Sequence, residues 1–93
     1  MDVKEKVSQL LNDSPEITRL NISGYNWWNE ALHGVARSGK ATVFPQTIGM
    51  ASSFDTDMMF RVGTAISDEA RAINNHLVSR NGKYIQYMGL SFW

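Results

Sequence analysis

Polar and hydrophobic residues alternate at helical spacing near the N-terminus. Asp2 followed by Glu5 three residues later is a capping-box pattern, which predicts a helix beginning at residue 3. Pro15 and the residue before it resist helical geometry, so the helix is expected to end at or before the "NDSP" run at 12–15. The apolar positions of this helix share one stripe: Val3, Val7, Leu10 and Leu11.

A second and longer helical pattern covers residues 56–80. Asp55 or Thr56 is suited to cap its start, and Arg80 followed by Asn-Gly gives a stop signal. Apolar residues recur in it at spacings of three and four, which predicts one core-facing stripe. The members of this stripe are Met59, Val62, Ile66, Ala70, Ile73 and Leu77.

The remaining segments are shorter and less periodic. Residues 16–24 predict a loop closed by Gly24, and the aromatic-rich "YNWWNEAL" at 25–32 predicts a buried strand, although its period is ambiguous. Pro45 suits the first position of a brief helix. The final "YIQYMGLSFW" at 84–93 is strand-like and ends on hydrophobic residues, so we expect the chain to be a segment of a longer domain. The inner face of the brief helix is predicted to hold Phe44, Ile48 and Ala51.

The predicted order is therefore helix, strand, short helix, long helix, strand. Strands separated by helical segments favour an α/β architecture with parallel strands. A chain of 93 residues is one domain at most and has a thin stability margin.

Composition excludes several classes of function. Nine basic residues balance nine acidic ones, so the chain has no electrostatic reason to bind nucleic acid or an anionic membrane. Cysteine is absent, which excludes disulfide and thiolate metal sites. The apolar runs are far shorter than the ~20 residues of a membrane span, and the charged N-terminus lacks a signal-peptide core. We expect a soluble chain with no membrane or nucleic-acid partner and no export signal.

Four motifs stand out together: "YNWWNEALHGVAR" (25–37), "ATVFPQTIGMASSFDTDMMFRV" (41–62), "ISDEARA" (66–72) and "GLSFW" (89–93). They resemble the N-terminal domain of glycoside hydrolase family 3, in its branch of β-xylosidases and xylosidase-like β-glucosidases. The resemblance implies a partial (β/α)8-barrel segment, too short to close a barrel. It also implies a retaining two-carboxylate mechanism in the parent family and a β-linked xylose or glucose saccharide as its substrate. Members of the family are often secreted or periplasmic, and the sequence itself does not fix a compartment.

Glu30 matches the family position whose carboxylate hydrogen-bonds sugar hydroxyls in the −1 subsite. The glucosidase-rich branch has aspartate there, so a glutamate implies a xylose-tolerant pocket. For the isolated chain, the favoured alternative is a structural carboxylate that is solvated or hydrogen-bonded. Trp28 and His33 are supporting candidates, with alternatives from their chemistry. The adjacent Trp27 and Trp28 could stack on a sugar, but buried packing is favoured, because successive strand residues face opposite sides. His33 could act as a base, but is favoured as an anchor of its turn through a hydrogen bond.

Catalysis needs more than this segment offers. A retaining glycosidase uses two carboxyl groups about 5–5.5 Å apart, and a (β/α)8 barrel needs about 250 residues. The family's catalytic aspartate and acid/base match no position here, so we predict no catalytic residue. No second ligand sits at metal-binding spacing from His33 or from His76, a predicted surface residue. We therefore predict neither a metal site nor a cofactor.

Three hypotheses follow for the isolated chain. It is a glycoside hydrolase segment without catalysis of its own, a small carbohydrate-binding or self-assembling module, or, least favoured, a minimal enzyme using Glu30 and His33. Part of a barrel exposes strand edges and apolar faces, so a homo-oligomer or domain-swapped assembly is expected. Its predicted contact surfaces are the helix at 56–80 and the "LSFW" at 90–93.

Overall fold

A computed structural model of the chain describes residues 1–81 and 85–92, and for Asn81 it describes the backbone alone. Its elements, in chain order, are helix α1 (Val3–Ser8), strand β1 (Asp13–Ser14), a 3-10 turn (Thr18–Leu20), strand β2 (Tyr25–Asn26), helix α2 (Thr47–Ala51) and helix α3 (Thr56–Asn81). Among the described helices, none combines the length and the apolar character that crossing a membrane requires.

Helix α1 starts as predicted. The Asp2 carboxylate accepts a hydrogen bond from the Glu5 backbone N–H at 2.8 Å, and the Glu5 carboxylate accepts one from the Asp2 N–H at 2.7 Å. The predicted apolar stripe is not buried, since Leu10 and Leu11 are 82% and 68% exposed. The helix ends at Ser8 because the following residues turn back to form β1, held by a bond from the Gln9 side chain to the Pro15 carbonyl.

The two strands pair antiparallel, with Asp13 opposite Asn26 and Ser14 opposite Tyr25. The prediction of parallel strands is therefore wrong for the described residues. Residues 15–24 are too short for the crossover of a dozen or more residues that parallel neighbours need. They contain the 3-10 turn and an antiparallel bridge between Ile17 and Ile22 rather than a featureless loop.

The strand predicted at 25–32 is confirmed only at its first two residues, and the described part of the predicted final strand, 85–92, carries no regular element. Tyr84 and Trp93, the two ends of that prediction, lie outside the described residues. Residues 85–92 leave strand geometry because side chains bond to much of their backbone in place of a ladder. The backbone of residues 27–32 bonds instead to separate segments, at Asn12, Ala36 and Tyr87, and not to one partner strand.

Helix α2 is confirmed, but its predicted inner face is wrong. Met50 is 7% exposed, whereas Ile48 is 77% exposed, Ala51 is exposed and Phe44 is half-buried. The helix begins at Thr47, two residues later than a start at Pro45 would place it, so Phe44 lies outside it, and the face that is buried is the one that holds Met50. Five residues make little more than one turn, and only one of its side chains is buried.

Helix α3 is confirmed in its extent and in the face that it turns toward the core. Asp55 caps it, because its carboxylate accepts the Met58 backbone N–H at 2.8 Å. The predicted stripe is half-buried or buried along its length, with Ala70 and Leu77 the most enclosed, at 3% and 8% exposure. Phe60, on another face, is 77% exposed.

The core of the described residues is small and mixed. Its buried hydrophobic side chains are Ile17, Met50, Ala70 and Leu77, and as many polar ones are buried: Ser14, Asn26, Asn29 and Asn74. The radius of gyration is 15.9 Å, against about 12 Å for a compact domain of this length. The fold is thus a small, partly helical unit with an open two-stranded sheet, and it is not a closed barrel.

Candidate functional site

Glu30 follows β2 by four residues and lies at the edge of an open cleft. The Trp28 indole N–H donates to Glu30 Oε1 at 2.6 Å, and the Ala36 N–H donates to the Glu30 carbonyl at 3.2 Å. A bond from a neutral donor to a carboxylate is charge-assisted and therefore comparatively strong. Glu30 is a half-buried residue, and its carboxylate is held by the side chain two positions earlier in the sequence.

The cleft has a volume of about 540 Å³ and is mostly apolar. Of its lining residues in the described part of the chain, Glu30 alone is ionisable. An acceptor-only carboxylate beside apolar walls can bind hydroxyl groups while apolar C–H faces pack opposite. The lining residues are Glu30, Ala31, Leu32, Thr47 and Phe92.

The backbone that carries Glu30 is tied to the end of the chain. The Trp28 carbonyl accepts the Tyr87 N–H at 2.9 Å, and Asn29 Oδ1 accepts the Gly89 N–H at 2.8 Å. Asn29 is fully buried at 0% exposure, and its amide N–H also donates to the Asn26 carbonyl at 3.3 Å. Residues 85–92, hereafter the terminal segment, therefore pack directly against residues 25–30.

His33 anchors its turn rather than joining the cleft. Its carbonyl accepts the Phe44 N–H at 2.7 Å, and its Nδ1 contacts the Phe44 carbonyl at 3.1 Å. A carbonyl cannot donate, so Nδ1 carries the proton in this contact. Gly34 follows with φ +101°, and a Cβ there would collide with the Thr42 carbonyl oxygen. The anchoring hydrogen bond expected of His33 is present, and His33 does not line the Glu30 cleft.

The expected burial of the tryptophans is wrong. Trp27 and Trp28 are 49% and 39% exposed, because both lie beyond the two residues of β2 and are not held between sheet faces. Trp27 donates to Ser14 Oγ at 3.0 Å and packs edge-on against Tyr25 with ring centroids 4.6 Å apart. Trp28 reaches the Glu30 carboxylate instead, so the site brings together Glu30 and Trp28 and leaves His33 outside.

The other candidates considered from the sequence are His76 and possible metal ligands. His76 is exposed on α3, as expected. Within residues 1–81 and 85–92, no group of three or more histidine, aspartate or glutamate side chains is arranged to hold a metal ion.

Sequence reasoning missed the polar residues that hold the site. Tyr25, Asn29 and Gly89 each contribute contacts that fix the Glu30 segment, and none was singled out. The available signal was the pair of asparagines at 26 and 29 within an aromatic-rich run, since asparagine in such a run needs hydrogen-bond partners once buried.

Comparison with known proteins gives one consistent class of relative. The chain is 42% identical over 94 residues to a xylan 1,4-beta-xylosidase of Xylanibacter ruminicola. It is 41% identical over 103 residues to "Probable beta-D-xylosidase 7" of Arabidopsis thaliana, and 37% identical over 103 residues to beta-D-xylosidase 1 of the same plant. Each match covers 100% of this chain, and the chain spans only 11–12% of the length of these relatives.

No protein-family model matches the chain, and no solved structure is significantly similar to it. The identities above therefore carry the comparison alone.

Proposed function

We propose that the chain forms one wall of the −1 subsite of a retaining β-xylosidase. The premise is that the whole chain is homologous to a segment of xylosidase-type glycoside hydrolases and is consistent with an N-terminal segment of such an enzyme. The parent enzyme belongs, in this proposal, to glycoside hydrolase family 3, and residues 1–93 are part of its N-terminal (β/α)8 barrel. The observation that carries the proposal is the 42% identity to a xylosidase over the whole of this chain, together with a carboxylate at the cleft edge.

Glu30 is the sugar-binding residue of this proposal. An ionised carboxylate accepts up to about four hydrogen bonds, so the Trp28 indole leaves capacity for sugar hydroxyls. Leu32 and Phe92 supply apolar surface in the same cleft, suited to the C–H face of a pyranose. A β-linked xylose residue, which lacks a hydroxymethyl group, is the preferred occupant, and a glucose residue is the competitor.

Bond cleavage in the proposed enzyme is carried out by residues beyond this chain. A retaining mechanism requires a nucleophile and an acid/base about 5–5.5 Å apart, and barrel active sites draw on loops after several strands. The 93 residues then contribute binding and orientation of the glycone, while both reacting carboxyl groups come from the remainder of the parent protein.

The test is a titration of the chain with xylose and xylobiose, followed by 1H–15N NMR, with Glu30→Gln as the variant. We expect saturable binding that Glu30→Gln weakens roughly tenfold to a hundredfold, the effect of losing hydrogen bonds to a charged group. Glu16→Gln is the matched control, because Glu16 is exposed and bonds only to Thr18 among the contacts described. Absence of binding, or equal binding by both variants, contradicts the proposal.

A parallel assay of aryl β-xyloside and aryl β-glucoside hydrolysis tests the inactivity of the isolated chain. No turnover above that of Glu30→Gln is expected. Turnover that the mutation abolishes would mean that several copies assemble a working site, and the assignment of catalysis to residues beyond the chain would be wrong.

A second candidate function is a small self-assembling module. It is favoured by large apolar side chains that stand in solvent, with Phe54 at 92% and Phe60 at 77% exposure. Sedimentation velocity over a range of concentrations tests whether the chain associates.

A further inference from the structure

The Tyr25 hydroxyl is the centre of a polar cluster, defined here as Tyr25, Asn29, Gly89, Leu90 and Ser91. Its oxygen accepts the Leu90 N–H at 2.9 Å and the Ser91 N–H at 3.2 Å, and it lies 2.7 Å from Ser91 Oγ. A phenol has two acceptor sites and one proton. One oxygen therefore makes three contacts with residues 90 and 91, and in the contact with Ser91 Oγ either hydroxyl can be the donor.

Asn29 completes the cluster from the same side. Its amide oxygen accepts the Gly89 N–H, its amide N–H donates to the Asn26 carbonyl, and the side chain is fully buried. Gly89 is required at this contact, since a Cβ there would lie 2.6 Å from the Tyr25 hydroxyl and 2.7 Å from Asn29 Nδ2. Three consecutive backbone N–H groups, of residues 89 to 91, are thus held by two side chains of the β2 region.

Trp28 connects Glu30 to the two chain segments that carry the cluster, through Asn26 in one and Tyr87 in the other. The Trp28 N–H donates to Asn26 Oδ1 at 3.0 Å, its carbonyl accepts the Tyr87 N–H, and its indole N–H donates to Glu30 Oε1. The same terminal segment brings Phe92 to the cleft that Glu30 lines. Both the polar and the apolar wall of the cleft therefore depend on how residues 89–91 are seated.

We propose that Tyr25 and Asn29 are positioning residues for sugar binding: by holding the terminal segment, they keep the Glu30 carboxylate and Phe92 together in the lining of one cleft. Neither residue contacts the ligand in this scheme, and both act through Trp28, Glu30 and Phe92. The inference rests on the proposed sugar-binding role of Glu30, while the contacts that it invokes exist in the free protein and can be tested without sugar.

The experiment compares Tyr25→Phe with Tyr87→Phe, which remove the same atom at two places. The Tyr87 hydroxyl accepts from the Arg37 guanidinium at 3.3 Å and takes no part in the cluster. The readout is the indole N–H resonance of Trp28, assigned with Trp28→Phe, because that proton lies in the bond to Glu30. A tyrosine that only stabilises the fold would leave this resonance unmoved in the folded variant.

In Tyr25→Phe, the Trp28 indole resonance is expected to move toward its position in Glu30→Gln. Xylobiose affinity is expected to fall roughly tenfold, the size of one hydrogen bond lost between a misplaced Glu30 and the sugar. Tyr87→Phe is expected to change neither. An unmoved resonance in folded Tyr25→Phe overturns the inference. If the Trp28 resonance moves in Tyr25→Phe but the wild-type protein binds no sugar, the proposed function is overturned. The inference that Tyr25 positions Glu30 then still stands.

If Tyr25→Phe does not fold, Ser91→Ala tests the inference in its place. This variant removes one partner of the phenol and leaves the two backbone N–H bonds in place. A smaller displacement of the Trp28 resonance in the same direction supports the inference, and an unchanged resonance contradicts it.

Discussion

At the scale of single residues, glycine has opposite roles at positions 63 and 89. Gly89 is buried where the terminal segment meets Tyr25 and Asn29, and an added Cβ has no room there. Gly63 lies inside α3, where a Cβ would have no atom within 4 Å, so its backbone freedom serves no contact in the described residues.

We expect Gly89→Ala to lower the free energy of unfolding by about 1–3 kcal/mol, the usual cost of forcing extra volume into a packed site. Gly63→Ala is the control, and it is expected to raise stability by roughly 0.5–1 kcal/mol, because alanine is the better helix former. Urea denaturation followed by circular dichroism measures both. Equal stability of wild type and Gly89→Ala would mean that the contact at residue 89 is loose.

The candidate site was only partly predictable at this scale. Glu30 could be found because the motif around it is contiguous and resembles a known family. The asparagine pair at 26 and 29 indicated only that buried amides need partners. The partners of Tyr25 and Asn29 in the terminal segment are 60 or more positions away, and nothing in the local sequence records that pairing. From residue types alone, aromatic packing was expected to hold residues 25–30. In the structure, hydrogen bonds of the Tyr25 hydroxyl and the Asn29 amide hold this segment.

At the scale of elements, α1 is held by an ion pair as well as by its cap. The Arg19 guanidinium donates to both carboxylate oxygens of Glu5, at 2.8 and 2.5 Å. The hydrogen bond from Arg19, followed by that from the Asp2 backbone N–H, holds the pKa of Glu5 below its ordinary value, and the same pairing raises the pKa of Arg19.

A lowered pKa in the folded state fixes the sign of the pH dependence. The stabilisation of α1 by Glu5 is fully present above the ordinary glutamate pKa of about 4.3, and it is lost as pH falls through the lowered folded value. In Arg19→Gln the largest cause of the shift is gone, so the NMR titration midpoint of Glu5 is expected at higher pH than in wild type. Coincident midpoints would show that the pair does not form in solution.

The elements that were predicted correctly have local causes. The caps and apolar periods of α1 and α3 lie within a few residues of the helices that they specify, and both helices form. The strands were predicted poorly because a strand is defined by its partner. Tyr25–Asn26 pairs with Asp13–Ser14, a segment that reads as a helix end and a turn, and the strand-like residues 85–92 bond to side chains instead.

At the scale of the whole molecule, the chain is elongated and its apolar surface is incompletely covered. Its principal extents are 49 × 29 × 19 Å, and large hydrophobic side chains stand exposed on α1, α2 and α3. Examples with more than three-quarters of their surface exposed are Val3, Ile48 and Phe60. Such surface is a site of association when it is contiguous.

We therefore expect the isolated chain to associate with itself through α3 and the terminal segment. Phe60→Ser should weaken association roughly tenfold or more, because burying a phenylalanine contributes about 1.5–3 kcal/mol. Val3→Ser, which removes an equally exposed apolar side chain from α1, should leave it nearly unchanged. Sedimentation velocity over a range of concentrations measures both, and a monodisperse wild-type monomer throughout would contradict the prediction.

The polar cluster also sets an order of events in folding. The Tyr25 hydroxyl bonds to residues 65 and 66 positions later, and closing so long a loop is costly and slow compared with winding a helix. During synthesis, residues 25–30 leave the ribosome well before residues 89–91 exist, while α3 between them can form from local interactions alone. The wall that carries Glu30 is consequently completed last, so in refolding experiments the helical signal should precede the change in Trp28 fluorescence.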